Sequence, residues 1–377
     1  MQYEFTEGKV MNDIIYMPAK CVCGEDAVIN SSSLLSKLGK KCLILTGGSG
    51  AKKSGALADA ETALKNENIG YEVFDGIGEN PLVSACHKAG EAARKAEADF
   101  ILGIGGGSVL DASKAVAIYA SNPDLAPLDI YKRVYNNKPL PVALIGTTAG
   151  TGSEVTAVAV LTNDETGVKK SISGDDCYAA VSYCDPKYTY SVPYKTTVST
   201  ALDAFAHAVE GYFTVKCNGT VRLWAEKCIP LIYKCLKELA GKDYVPENLR
   251  DDLYYGSIYA GLVINTCGTA FPHPLGYVLT ENFGIPHGMA CASFFAPYID
   301  RCAEFAPEKA KDFFGMTEEA DEVKKTIAAL TDLDGVSIGE EQAKVFAKRW
   351  DNALPRNFAA SPGGLTQEEA AMIIASL

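Results

Sequence analysis

Short apolar runs alternate with amphipathic stretches through the first half of the chain, in the rhythm of strand and helix. Lys41–Thr46 (KCLILT) has a buried-strand pattern and ends in Gly47-Gly48-Ser49-Gly50. Ser54–Asn68 places Ala56, Leu57, Ala60 and Leu64 on one helical face. Tyr71–Ile77 reads as a strand. Leu82–Glu97 reads as an Ala-rich helix that carries His87 on its solvent side, among Lys88, Glu91 and Arg94. Asp99–Ile104 is another buried strand, running into Gly105-Gly106-Gly107-Ser108 and a helix over Val109–Ala120. Pro141–Ile145 is a strand that leads into Thr147–Glu154 (TTAGTGSE). Ala157–Ser173 reads as a hairpin turning at Asn163–Gly167, and Val181–Cys184 as a last strand stopped by Asp185-Pro186. This alternation predicts a parallel, doubly wound sheet.

Beyond Asp185 the strand patterns stop. Helical periodicity takes over at Thr196–Val215, Gly219–Leu239 and Glu247–Cys267, with shorter helices to Leu377. The chain has 377 residues, more than one core usually holds. The expected fold is an α/β, doubly wound parallel-sheet domain over 1–185 and an all-α domain over 186–377. An apolar content of 47% suffices for two cores.

A net charge of −12 argues against nucleic acid and anionic membrane as partners. An anionic ligand therefore depends on local donors. No apolar run is long enough to span a bilayer. The N-terminus, MQYEFTEGKV, lacks the basic segment and apolar core of a signal peptide. The twelve cysteines form no CxxC, the nearest pair being Cys21 and Cys23; they suit reduced thiols in a cytoplasmic protein.

Two glycine-rich turns carry candidate binding chemistry. In Gly103–Ser108 (GIGGGS) the glycines let a ligand approach the backbone, and the N–H groups of the helix start face an anion. The run departs from GxGxxG at Ser108. TTAGTGSE supplies a second such turn after the next strand. Two phosphate-friendly turns at one sheet edge predict a nucleotide or dinucleotide.

The candidate metal chemistry centres on Leu202–Gly211 (LDAFAHAVEG). Asp203 and His207 are spaced i, i+4 and share a helix face. Of four histidines in all, His273 and His287 follow downstream, each beside Pro or Gly. One carboxylate and three imidazoles form a plausible four-ligand set for a divalent metal. Each residue taken singly also fits a hydrogen-bonded core histidine or a helix-start acid. Their grouping among apolar residues, where unpaired polar groups are costly, favours the metal. A cleft follows, with cofactor on one wall and metal on the other.

Four motifs together resemble the iron-containing, group III alcohol dehydrogenases: GGGSVLD (Gly105–Asp111), TTAGTGSEVT (Thr147–Thr156), ALDAFAHAVEGY (Ala201–Tyr212) and HPLGY…IPHG (His273–Gly288). They run in the family's order along essentially the whole chain. The resemblance implies a dinucleotide-binding domain, a helical metal domain, Fe2+ or sometimes Zn2+ in the cleft, and a homodimer. It places the metal ligands on Asp203, His207, His273 and His287. It places the phosphate and nicotinamide contacts on Gly105, Gly106, Gly107, Ser108, Thr147 and Thr148, with a hairpin lysine at Lys169 or its neighbour Lys170. Many members carry a further His where this chain has Tyr277, whose hydroxyl titrates near 10 instead of the ~6.5 of His. The implied reaction is metal-assisted hydride transfer between a small alcohol and an aldehyde or ketone, the proton arriving through water or the nicotinamide ribose, with Tyr277 the weaker donor.

An alternative on the same scaffold is a dehydroquinate-synthase-like lyase using NAD and a metal. Its phosphorylated, carboxylated substrate needs a basic cluster, whereas no Lys or Arg lies between Asn265 and Asp300. An inactive nucleotide-binding protein would have a broken ligand set, which this is not. For the cofactor, the family's NAD-selecting Asp follows Thr in a T-D pair; here the pair is Thr46-Gly47. The loop beyond, GSGAKKSG, offers free backbone N–H groups, Ser49 and the charges of Lys52 and Lys53 to a ribose 2′-phosphate. NADP(H) is therefore expected over NAD(H).

Overall fold

The structure, a computed structural model, describes residues 14–377. The N-terminal segment read for a signal peptide lies outside those residues. The described residues form eight strands: β1 (Lys20–Cys23), β2 (Lys41–Leu45), β3 (Gly70–Phe74), β4 (Phe100–Gly105), β5 (Val142–Gly146), β6 (Val158–Thr162), β7 (Lys169–Ser173) and β8 (Val181–Cys184). Six form one parallel sheet in the order β1-β8-β5-β4-β2-β3. Helices Ala56–Asn66, Val83–Lys95 and Gly107–Ser121 connect β2 to β3, β3 to β4 and β4 to β5. β6 and β7 form a separate antiparallel hairpin.

Side chains of parallel strands alternate between two helix-covered faces. Leu43, Leu45, Ile101, Val142 and Leu144 enter one apolar core. Cys42, Ile44, Phe100, Leu102, Ile104, Ala143 and Ile145 enter the other. The chain is thus an α/β doubly wound unit followed by helices, and no strand follows Cys184 among the described residues. Strand order reverses between β2 and β4, so a crevice opens at their carboxyl ends, where such sheets bind ligands. Gly47 follows β2 there, and the GIGGGS run ends β4 at Gly105 and turns at Gly106 into the helix from Gly107.

Three local expectations change. A strand at Lys20–Cys23 was not foreseen, and it forms an edge of the sheet. The loop after Gly47 contains a short helix, Gly50–Lys53, in which the Lys53 N–H donates to the Ser49 carbonyl; its backbone donors are therefore only partly free. His87 is half-buried rather than solvent-side, with its ring edge-on to Tyr119 at 5.1 Å. No helix of the described residues is long and apolar enough to cross a membrane.

Candidate active site

Helix Tyr194–Phe213 is the spine of the site. Asp203, His207 and Glu210 lie at i, i+4 and i+7 on it, one above another on one face, and all three are buried. His273 enters from the first turn of helix Pro272–Phe283, whose first residue is a proline that needs no N–H partner there. His287 starts helix His287–Ala292. That short helix lies against the spine at Gly288, where a Cβ would overlap the Ser199 carbonyl oxygen. Only glycine permits the close approach that brings His287 to Asp203.

Three imidazole Nε2 atoms converge on one oxygen. His207, His273 and His287 stand 3.6, 3.6 and 3.8 Å from Asp203 Oδ1. Asp203 Oδ1, His207 Nδ1 and His273 Nε2 are buried without hydrogen-bond partners. Such orphans are rare and costly in folded proteins. Oxygen and imidazole donors aimed at one point suit a divalent ion such as Fe2+ or Zn2+, so the residues fit the metal. Among the described residues, potential ligand atoms, one each from Asp203, His273, His287 and Cys291, lie within 4.8 Å of one another. This group omits His207, although His207 reaches the shared oxygen as closely as His273 does. The Cys291 thiol lies 3.7 Å from His287 Nδ1.

Glu210 was missed in the sequence. Its Oε1 is 2.7 Å from His273 Nδ1, and its Oε2 accepts the Ala270 N–H at 2.7 Å. A carboxylate there fixes a proton on Nδ1 and turns Nε2 towards Asp203, so Nε2 is the nitrogen that a metal would take once its own proton is displaced. The signal was present, since Glu210 follows His207 by three residues on the same helix.

Charge at this cluster is set by burial and by the neighbouring groups. Burial favours a neutral Asp203, but the imidazoles, His207 foremost, hold its carboxyl well below the usual range. Burial lowers His207 to about 4. At His273 burial also opposes the charge, and Glu210 and Asp203 outweigh it, raising the ring to about 10. Burial, then the Lys169 ammonium, pushes His287 well below its ordinary value. Burial raises the Tyr277 hydroxyl, with Cys291 and Asp203 adding to the effect.

The glycine turns lie beside this cluster. β4 and β5 pair at Gly105 and Gly146, so both turns leave neighbouring strands. Gly106 abuts the Thr148 side chain, and the Thr147 N–H is committed to the Gly105 carbonyl. The N–H groups of Gly107 and Ser108 fall in the first helical turn, which has no intrahelical acceptors for them. Ser108 Oγ accepts the Asn80 N–H at 3.2 Å, and Asn80 Oδ1 accepts from Lys169 Nζ at 3.0 Å. Lys169 Nζ lies 5.4 Å from the Tyr277 ring centroid, and Tyr277 stacks on His287 at 5.2 Å. Lys170 turns away, over Tyr131. Asn80, which links Ser108 to Lys169, had no signal in the sequence pattern. Gly47 behaves differently from a simple turn: a Cβ there would overlap the Ile77 carbonyl oxygen.

The profile of the iron-containing alcohol dehydrogenases matches residues 18–186, and that of the family's C-terminal region matches 197–348. The chain belongs to the iron-containing alcohol dehydrogenase family. It is accordingly an oxidoreductase with that family's fold. Alcohol dehydrogenase 4 of Schizosaccharomyces pombe is 30% identical over 78% of this chain and 70% of its own length. 1,3-propanediol dehydrogenase of Klebsiella pneumoniae is 33% identical over 78% of each. The crystal structure of an iron-containing alcohol dehydrogenase from Thermotoga maritima superposes with a TM-score of 0.87 at 33% identity, covering 97% of this chain and 99% of that one. A sulfoacetaldehyde reductase from Bifidobacterium kashiwanohense, solved with NAD+, gives 0.85 at 27% identity, covering 97% and 99%.

Proposed function

We propose that this protein interconverts a small, uncharged alcohol and its aldehyde, using NAD(P)(H) and a divalent metal of the iron type. The observation that carries the reading is the convergence of three imidazole Nε2 atoms on the orphaned Asp203 Oδ1. Asp203, His207, His273 and His287 are the assigned ligands. His207 is preferred to Cys291 because burial keeps its imidazole neutral, the ligating form, whereas burial holds the Cys291 thiol protonated. When bound, the metal supplies Lewis-acid polarisation of a carbonyl oxygen, and the reduced nicotinamide supplies hydride.

The chain's own residues do the holding and orienting. Glu210 fixes the His273 tautomer, and Tyr277 braces the His287 ring. Gly105, Gly106, Gly107, Ser108, Thr147 and Thr148 form the phosphate and nicotinamide cradle, open at the carboxyl edge of the sheet. Lys169, tied to Asn80, stands between cradle and metal cluster. Tyr277 is a poor acid at neutral pH because burial raises its hydroxyl, so water or the ribose hydroxyl of a bound nicotinamide nucleotide would supply the proton. The absence of Lys and Arg from 265–300 suits an uncharged substrate, and the oxidoreductase class replaces the lyase alternative. Asp185, just after β8, divides the dinucleotide unit from the helical metal unit.

For the nucleotide we propose a preference for NADP(H), supported by Gly47 in place of a carboxylate and by Ser49, Lys52 and Lys53 beside it. Similar proteins named NADH-dependent butanol dehydrogenase, and the NAD+ complex above, point the other way for themselves. A cytoplasmic homodimer completes the proposal. The test is a panel of C2 to C6 aldehydes and diols with NADPH and NADH on anaerobically iron-loaded protein. Aldehyde-dependent oxidation of the reduced nucleotide is expected; its absence across the panel refutes the assignment.

A further inference from the structure

All twelve cysteines are free thiols, and Cys23 is the exposed one. It ends edge strand β1, directly opposite Cys184 on β8 in the parallel register. Directly opposed residues project to the same face of a sheet. Adjacent strands lie about 4.8 Å apart, inside the roughly 4.4–6.8 Å Cα separation of disulfides. The Cys184 thiol donates to the Ser182 carbonyl, and both Cys21 and Cys23 of β1 lie on its side of the sheet, Cys23 in direct register with it. Cys184 itself is fully buried. β1 has four residues and a sheet partner on one side only, so it can shift to accommodate a cross-link.

We propose that Cys23 and Cys184 form a peroxide-responsive dithiol, a modification site separate from the metal cluster. An exposed thiol beside a resolving cysteine is the arrangement of redox-sensing pairs. The neighbouring Cys184 side chain, against burial and Glu154, lowers Cys23 to about 7, which favours the thiolate, the reactive form, at neutral pH. Burial, by contrast, pushes Cys42 and Cys86 up to about 12.

The chemistry balances with hydrogen peroxide as oxidant. The Cys23 thiolate attacks one peroxide oxygen, the O–O bond breaks, and a sulfenic acid and hydroxide result; the hydroxide takes up a proton as water. Cys184 sulfur then attacks the sulfenic sulfur, the S–O bond breaks, and the departing hydroxide leaves as water with the Cys184 proton. Two thiols lose two electrons in all, and one peroxide becomes two waters. A dithiol reductant reverses the cross-link. The bond ties β1 to β8 just before Asp185, whose carboxylate already accepts the Asp26 N–H at 2.7 Å.

The test uses zinc-loaded protein, because zinc does no redox chemistry with peroxide. After peroxide, tryptic peptides 21–37 and 171–187 should appear joined under non-reducing conditions and separate on reduction. Each peptide holds a second cysteine, Cys21 or Cys177, so variants locate the bond. Cys23→Ser, at an exposed position, should abolish the joined species and keep the fold by circular dichroism, while Cys21→Ser and Cys177→Ser should retain it. Full alkylation of Cys23 after oxidation, or a joined species that survives Cys23→Ser, overturns the proposal.

Discussion

Replacing Glu210 by alanine and by glutamine separates the two bonds that its carboxylate makes. Oε2 accepts the Ala270 N–H and Oε1 meets His273 Nδ1, each at 2.7 Å in a fully buried setting. Glu210→Ala leaves two buried N–H donors without acceptors, at about 1–3 kcal/mol each, or roughly 2–6 kcal/mol together. It also frees the His273 ring, and loss of such a partner typically costs about 10–100-fold in metal affinity. Glu210→Gln should behave differently on the two axes. A backbone N–H cannot change its protonation, so the amide oxygen goes to Ala270. The amide NH2 then faces His273 Nδ1, which must become an acceptor and move its proton to Nε2, the nitrogen aimed at Asp203. Stability should largely recover, because the Ala270 N–H and His273 Nδ1 both regain partners, while metal affinity should fall nearly as far as in the alanine variant. Urea unfolding of the metal-free proteins reads the first axis, and chelator competition for Fe2+ or Zn2+ reads the second. A glutamine variant with wild-type metal affinity would refute the tautomer argument.

Three further outcomes are expected. Gly288→Ala places a methyl against the Ser199 carbonyl and should push His287 away from Asp203, costing about 1–3 kcal/mol of stability, the range for overpacking, together with most bound metal; unchanged metal content would show that the close approach is dispensable. Tyr277→Phe should keep most of the rate, because water or the ribose carries the proton; a loss of about a hundredfold, the lower range for a general acid, would make Tyr277 the donor. Lys52→Glu with Lys53→Glu should lower the NADPH-to-NADH ratio of kcat/KM by roughly tenfold, the order expected of two exposed charge contacts. That pair is a cleaner probe than Gly47→Asp, whose Cβ would collide with the Ile77 carbonyl; a wild type that prefers NADH, or a ratio unmoved by the double change, refutes the NADP reading.

The sequence was most legible where periodicity and punctuation agree. Val181–Cys184 and Gly219–Leu239 were read to the residue, because Asp185-Pro186 stops the strand and Asn218 caps the helix with its side chain. β1 was invisible: KCVC is a half-exposed edge strand with no apolar run. The Gly50–Lys53 helix was hidden by its flanking glycines. At the site, spacing suffices for Asp203, His207 and in principle Glu210, since one helix carries all three. Asn80 and Cys291 could not be read in this way. Asn80 depends on a loop that meets Ser108 and Lys169, Cys291 on how a separate short helix docks against the spine, and neither fact is periodic. Gly47 was read for the charge it lacks, while the fold uses it for a close backbone approach.

The central claim is that Asp203 and the three histidines hold the metal that makes carbonyl reduction possible. Its most direct test measures bound iron and NADPH oxidation with a short aldehyde, side by side, in wild type and Asp203→Ala, with circular dichroism as a check on the fold. The wild type should bind iron in proportion to protein and reduce the aldehyde, and the variant should stay folded and lose both. Full aldehyde reduction by a folded Asp203→Ala protein would contradict the account.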